Sequence, residues 1–171
     1  MTRTARLLAA ISLLAAVPAL AAGPSDAEIA HIAYTAGALD AAAAKQALAK
    51  TKNPDVRAFA EVMLRDHEAV NEKALALVKK LNVTPADNAT SQALAKQAKE
   101  TEAKLAALDG AAFDRAYAAN EAVFHRTVNG ALKDTLIPSA DNAELKGLLE
   151  TGLTLFGQHQ AHAEHLASGL K

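Results

Sequence analysis

The stretch that decides the fold is residues 53–81, which read NPDVRAFAEVMLRDHEAVNEKALALVKKL. Asn53 is a favourable N-cap, and Pro54 suits the first position of a helix, where its missing N–H group costs nothing. Apolar side chains then recur every three or four positions, which is the period of a helix with one buried face. His67 falls on that face, between Met63 and Val70. The pattern predicts a long amphipathic helix with a buried histidine near its middle.

The rest of the chain after residue 24 has the same helical period, and no stretch shows the alternation of a strand. Ser25 and Glu28 have the spacing of a capping box at the start of the first helix. The predicted helices cover residues 26–51, 54–81, 90–108, 111–137 and 141–168. Four long helices with a shorter one between the second and third predict an all-α, ferritin-like four-helix bundle with an extra helix in the crossover. In that arrangement the linking helix carries the chain back along the bundle, and the third long helix runs parallel to the second.

The first 21 residues have the pattern of an export signal rather than of a folded segment. Arg3 and Arg6 precede an apolar run over residues 7–20, and Ala19 and Ala21 are small residues suited to cleavage after Ala21. No later segment is apolar enough to cross a membrane. We therefore expect a signal peptide over residues 1–21, a bundle domain over residues 22–171, and a periplasmic or secreted protein.

The net charge and the cysteine content exclude some classes of function and of metal site. Removal of residues 1–21 lowers the number of Lys and Arg side chains from 18 to 16 against 19 acidic ones, so the net charge becomes −3. This charge gives no basic surface for nucleic acid. The chain has no cysteine, which excludes disulfides and thiolate metal sites. The sequence is compatible with a homodimer and identifies no other partner.

Five polar side chains are predicted to lie at one level of the bundle. Counting residues along each helix from the turn at residues 51–54 gives this level for Asp40, His67, Glu121, His125 and His159. Imidazole and carboxylate groups together suit a divalent transition metal such as Zn, Cu, Fe, Ni or Mn. His162 and His165 follow at three-residue steps and predict a second, more exposed metal site near the end of the bundle, level with Asp114.

Each of these residues also has a structural interpretation. A histidine on an apolar face is commonly a hydrogen-bonded core residue, and Asp40 and Asp66 could pair with a neighbouring histidine or arginine. The only Glu-x-x-His sequence is Glu28 to His31, far from the predicted layer, so a di-iron carboxylate centre is not expected. No nucleophile motif or phosphate-binding loop is present, and an enzyme is the less favoured interpretation.

Several short motifs together carry a family resemblance over nearly all of residues 25–170. They are Asn53-Pro54-Asp55-Val56, Phe59-Ala60, Met63, Asp66-His67, Asp109-Gly110, Phe113-Asp114, Tyr117, His125 and His165-Leu166. In these the chain resembles the exported bacterial domain-of-unknown-function family 4142, and Asp40 stands where family members often have Glu. The resemblance implies a ferritin-like four-helix fold and export, with no established activity. It draws attention to His165 in the last helix, whereas the helical period favours His159 and His162.

The sequence thus predicts an exported ferritin-like protein that binds or buffers a divalent transition metal, in stress or metal homeostasis. The alternative is a non-metal periplasmic structural or interaction module, for example in envelope stress, whose polar core residues fix the packing. An oxidoreductase with a mononuclear site is the third and least favoured interpretation.

Overall fold

The computed structural model describes residues 23–170, and the predicted signal peptide lies outside them. The helices are α1 (Asp26–Lys50), α2 (Pro54–Lys80), α3 (Ala89–Ala106), α4 (Gly110–Ala131), α5 (Ile137–Ser139) and α6 (Ala143–Gly169). A π-helical turn, Leu132–Leu136, joins α4 to α5. No strand occurs within these residues, so the predicted all-α class is confirmed.

Local side chains cap the first two helices as the sequence predicts. The hydroxyl of Ser25 accepts a hydrogen bond from the backbone N–H of Glu28, whose carboxylate accepts from the backbone N–H of Ser25 at 2.9 Å. The side chain of Asn53 accepts from the backbone N–H groups of Asp55 and Val56. These caps satisfy N–H groups that have no partner within their helix. The short connection between the two helices makes α1 and α2 antiparallel neighbours.

Helix α3 runs alongside α1 in the same direction. The side chain of Asn88 reaches the backbone oxygen of Glu28 near the start of α1. At the other end, the Lys50 ammonium donates to the backbone oxygen of Ala106 and lies 3.1 Å from the carboxylate of Asp109. The chain therefore returns to the end of the bundle where α2 begins, and α4 runs in the same direction as α2.

Two apolar clusters form the core, and the buried residues Asp40, His67, Glu121, His125 and His159 lie between them. The first cluster, near the α1–α2 turn, includes Phe59, Met63, Phe113, Tyr117 and Leu166. The second, at the opposite end, includes Ile29, Leu132, Leu145, Leu149 and Phe156. No helix within residues 23–170 combines the length and the apolar character needed to cross a membrane.

The buried face of α2 follows the predicted stripe, from Val56 to His67, whereas the buried faces of α4 and α6 differ from prediction. In α6 the buried face follows Leu149, Phe156 and Ala163, one position beyond the face through His162 that the helical period favours. In α4 the buried face is centred on Glu121 and His125, whereas the spacing of apolar residues in this helix, through Tyr117, Phe124 and Val128, would place these two at the flank of that face. The predicted third long helix was also too long as an α-helix, because regular α-helix ends at Ala131 and the π-helical turn follows.

Candidate metal centre

The structure brings together the five side chains that the sequence placed at one level. They form two groups of potential ligand atoms, His67 with His125 and His159, and Asp40 with Glu121 and His125. In each group the ligand atoms lie within 4.8 Å of one another, and all five residues are buried. These are the two groups that could hold a metal ion within residues 23–170.

The three imidazole rings form a nearly equilateral triangle. Their centroids are 5.5 Å apart for His67 and His125, and 5.4 Å apart for each of these rings and His159. The Nε2 atoms of His67 and His125 lie 3.4 Å apart. Since α2, α4 and α6 each contribute one ring, the triangle depends on the packing of three separate helices.

Neighbouring acceptors orient two of the rings. His125 Nδ1 lies 3.0 Å from the backbone oxygen of Glu121, one turn earlier, and this contact leaves Nε2 facing the layer. His159 Nε2 lies 3.0 Å from Asp66 Oδ2, and its Nδ1 has no hydrogen-bond partner. The Nδ1 atom of His67 is also buried without a partner. Backbone carbonyls and carboxylates hold metal-binding histidines in the same way, by fixing one ring nitrogen and leaving the other for the metal.

Burial keeps the imidazoles neutral. It lowers the pKa of His67 to about 3 and that of His125 to about 4. Burial also lowers the pKa of His159, although Asp66 acts in the opposite direction. Because their pKa values are lowered, all three rings are neutral at neutral pH. The neutral ring is the form of histidine that binds metals.

The carboxyl groups of Asp40 and Glu121 occupy the other side of the layer. Asp40 Oδ2 lies 3.5 Å from the Nε2 atoms of both His67 and His125. Burial raises the pKa of Asp40 to about 7. Burial and the nearby charge of Asp40 raise the pKa of Glu121 well above its ordinary value. The pair therefore retains a proton at neutral pH, because two carboxylates in a dry site do not both ionise.

Three residues of the layer were missed or underrated from the sequence. Asp66 pairs with His159 and with Arg65, which agrees with the structural interpretation that the sequence offered for it. Phe156 stacks on His67 with centroids 4.8 Å apart and planes 12° apart. The buried hydroxyl of Tyr117, one turn before Glu121, has no hydrogen-bond partner. The spacing of Phe156, four residues after Gly152 and three before His159, could have indicated that it lies on the same helix face as these two residues.

His162 and His165 lie away from this layer. Both are exposed, and the ring of His162 meets that of Phe59 edge-on at 5.0 Å. They line a cleft at the bundle end together with Asp114, but neither belongs to a group that could hold a metal in the described part of the chain. The histidine of α6 that faces the buried layer is therefore His159, and the second site at the bundle end stays a prediction.

Two cavities meet the layer from different sides. A cleft of about 330 Å³ between α1, α3 and α4 has Asp40 and Glu121 in its lining and none of the three imidazoles. An apolar cavity of about 160 Å³ is lined by His67, His125 and Phe156 and by neither carboxyl group. The carboxyl pair and the imidazoles thus border different spaces.

Fold and site together define an all-helical protein with a buried layer of histidines and carboxyl groups. The chain belongs to the family described as a domain of unknown function (DUF4142), whose model matches residues 12–166. This match confirms the resemblance in the sequence motifs. No curated protein matches the chain, and no solved structure matches it.

Proposed function

We propose that this protein is an exported, ferritin-like helical bundle that binds one divalent transition metal through His67, His125 and His159. The observation that carries the proposal is the triangle of three buried, neutral imidazoles on three helices. Three histidines with a further open position form a familiar zinc site.

The spacing of the rings agrees with this role. Two nitrogens bound at 2.0–2.1 Å to a tetrahedral metal are about 3.3 Å apart. The Nε2 atoms of His67 and His125 are 3.4 Å apart, so small ring movements would suffice to accept the ion. Two of the rings are already held from outside the triangle, His125 by the Glu121 carbonyl and His159 by Asp66.

Ligand chemistry indicates which metals fit. Imidazole suits Zn, Cu, Fe and Ni, and the affinity of such sites rises from Mn towards Cu. We therefore expect Cu²⁺, Ni²⁺ and Zn²⁺ to bind more tightly than Mn²⁺. A buffering role in metal homeostasis or stress needs no catalytic residue, in keeping with the lack of a nucleophile motif in the sequence. The basic and apolar pattern of residues 1–21 supports export.

A non-metal structural module is the second candidate, and one observation favours it. The layer partly satisfies itself, since His159 pairs with Asp66, and His125 with the Glu121 carbonyl. Buried polar groups of this kind can fix how helices pack without binding anything.

Metal analysis of protein purified from the periplasm, followed by calorimetric titration with Zn²⁺, Cu²⁺, Ni²⁺ and Mn²⁺, separates the two candidates. We expect one metal per chain, lost in His67→Ala and His125→Ala and retained in His165→Ala, which removes an exposed histidine of α6. If no metal co-purifies and none binds on titration, the structural module is the correct function.

A further inference from the structure

The cleft between α1, α3 and α4 has features that the proposed metal site does not use. Helix α3 packs along α1, and the space left beside α4 is the 330 Å³ cleft, a volume at the small end of ligand sites. Exposed residues, among them Gln97, Lys99 and Val123, form part of its lining, so the cleft is open to solvent. Asp40 and Glu121 are its most deeply buried polar residues.

The buried polar atoms of this cleft that lack a partner are all oxygens. Asp40 and Glu121 share one proton in a hydrogen bond between them, and the carboxyl oxygens that this bond leaves free, together with Oε1 of Gln46, have none. The amide nitrogen of Gln46 already donates to the backbone oxygen of Glu102, which leaves its oxygen as an acceptor. Buried polar atoms normally have partners, so this group calls for a ligand rich in hydrogen-bond donors.

The rest of the lining is largely apolar. Side chains from all three helices contribute, namely Leu39, Ala43, Leu94, Ala98, Leu105 and Phe124. The small alanine side chains leave the width of the cleft free for an extended chain. A ligand that fits both regions has a cationic donor group at one end and a short hydrocarbon body.

We propose that this cleft binds a small primary alkylammonium ion, with the ammonium group at Asp40, Glu121 and Gln46 and the hydrocarbon chain between α3 and α4. An ammonium group has three N–H donors and no acceptor, which matches a site whose free polar atoms are oxygens. Hydrogen bonds between a charged donor and a carboxylate are among the strongest in proteins.

This site goes beyond the proposed metal function and can be tested separately. None of His67, His125 and His159 lines the cleft, and neither Asp40 nor Glu121 lines the cavity on which two of these histidines border. The two sites adjoin, since Asp40 Oδ2 lies 3.5 Å from Nε2 of His67 and of His125, but they open into different spaces. A variant in the outer part of the cleft can therefore block it without changing the histidine triangle.

Calorimetric titration of the purified protein in the presence of a metal chelator, with hexylammonium chloride as the probe, tests the proposal. Hexan-1-ol and hexanoate have the same hydrocarbon chain with a neutral or an anionic end. We expect saturable binding of hexylammonium at one site, at least about tenfold tighter than that of hexan-1-ol, because a charged hydrogen bond is worth at least that factor. Hexanoate should not bind.

Four variants make the outcome specific. Asp40→Asn removes the acid that carries the charge at the floor, and Ala98→Phe fills the cleft without touching the floor; each should weaken hexylammonium binding at least about tenfold. Glu100→Gln, on α3 but outside the cleft, and His159→Ala, in the metal triangle, should leave it unchanged. The proposal is overturned if hexylammonium does not bind, if hexan-1-ol binds equally well, or if Ala98→Phe retains full affinity. A negative result with hexylammonium would leave the proposed metal function unaffected, because metal binding is measured separately.

Discussion

The Nε2 atoms of His67 and His125 lie 3.4 Å apart in the buried layer, although their helices, α2 and α4, are not packed neighbours. Two imidazole nitrogens this close, in rings that burial keeps neutral, have either a proton or a metal ion between them. The backbone oxygen of Glu121 takes the N–H of His125 Nδ1, so Nε2 of His125 is the acceptor in the metal-free protein. Metal binding through both Nε2 atoms then requires His67 to change its tautomer, so that the proton moves from Nε2 to Nδ1.

Asp66 is expected to control metal affinity without contacting the metal. Its carboxylate lies 3.0 Å from His159 Nε2 and fixes the ring so that Nδ1 stays free. Asp66→Asn should weaken Zn²⁺ binding by about 10- to 100-fold, the usual effect of losing such an outer partner. Competition titration against a chromophoric chelator measures the change. Asp55→Asn on the exposed face of the same helix is the matched control, and equal affinities in the two variants would remove Asp66 from the site.

The pH dependence of stability should be the sum of two opposing effects in the metal-free protein. The pKa values of His67 and His125 are lowered by folding, so their contribution to stability is present above about pH 6.5 and is lost as the pH falls towards 4. The pKa values of Asp40 and Glu121 are raised by folding, so their contribution grows as the pH falls from about 7 towards 4.

Replacing one of the two acids should upset this balance. Glu121→Gln removes a group that binds a proton on folding, so the free energy of unfolding should fall more steeply with acidification than in the wild type. The added slope should be about 1 kcal/mol per pH unit between about pH 6 and 4.5. Urea denaturation at a series of pH values, with a chelator present, measures it. The exposed Glu61→Gln is the control, and parallel profiles for Glu121→Gln and the wild type would contradict the assignment.

The helices and the level of the layer could be predicted from the sequence because both depend on local or countable features. Ser25 and Asn53 bond to backbone groups two or three residues away, and the height of a residue follows from the rise of its helix. The direction that each side chain faces could not be predicted as well. Leu155 and Phe156 are both apolar, so only the spacing of the neighbouring apolar residues favoured Leu155. Glu121 and His125 were not predicted at the centre of the buried face, because the prediction assumes that polar side chains face solvent.

The same limit explains the histidines of α6. His159, His162 and His165 differ by three residues each, so each step turns the side chain about 60° away from the one before. Which of them faces the core depends on the position of the whole helix against α2 and α4, which only tertiary contacts determine. The helical period favoured both His159 and His162, and it is the pairing with Asp66, on a different helix, that identifies His159.

Close packing of α1 on α2 beside the layer depends on Gly37. A Cβ atom at this position would lie 2.4 Å from the side-chain oxygen of Asn71, one turn after His67. Gly37→Ala should therefore displace the Asn71 side chain and leave the protein less stable than Gly157→Ala, despite the better helix propensity of alanine at both positions. Gly157→Ala is the matched control, because a Cβ atom there meets nothing within 4 Å, and it should stabilise α6 by up to about 1 kcal/mol. Shortening the neighbour in the double variant Gly37→Ala with Asn71→Ala should recover part of the loss, since the two side chains compete for one space. Chemical denaturation of the three variants measures these changes. Equal stability of Gly37→Ala and Gly157→Ala would contradict the close contact between Gly37 and Asn71.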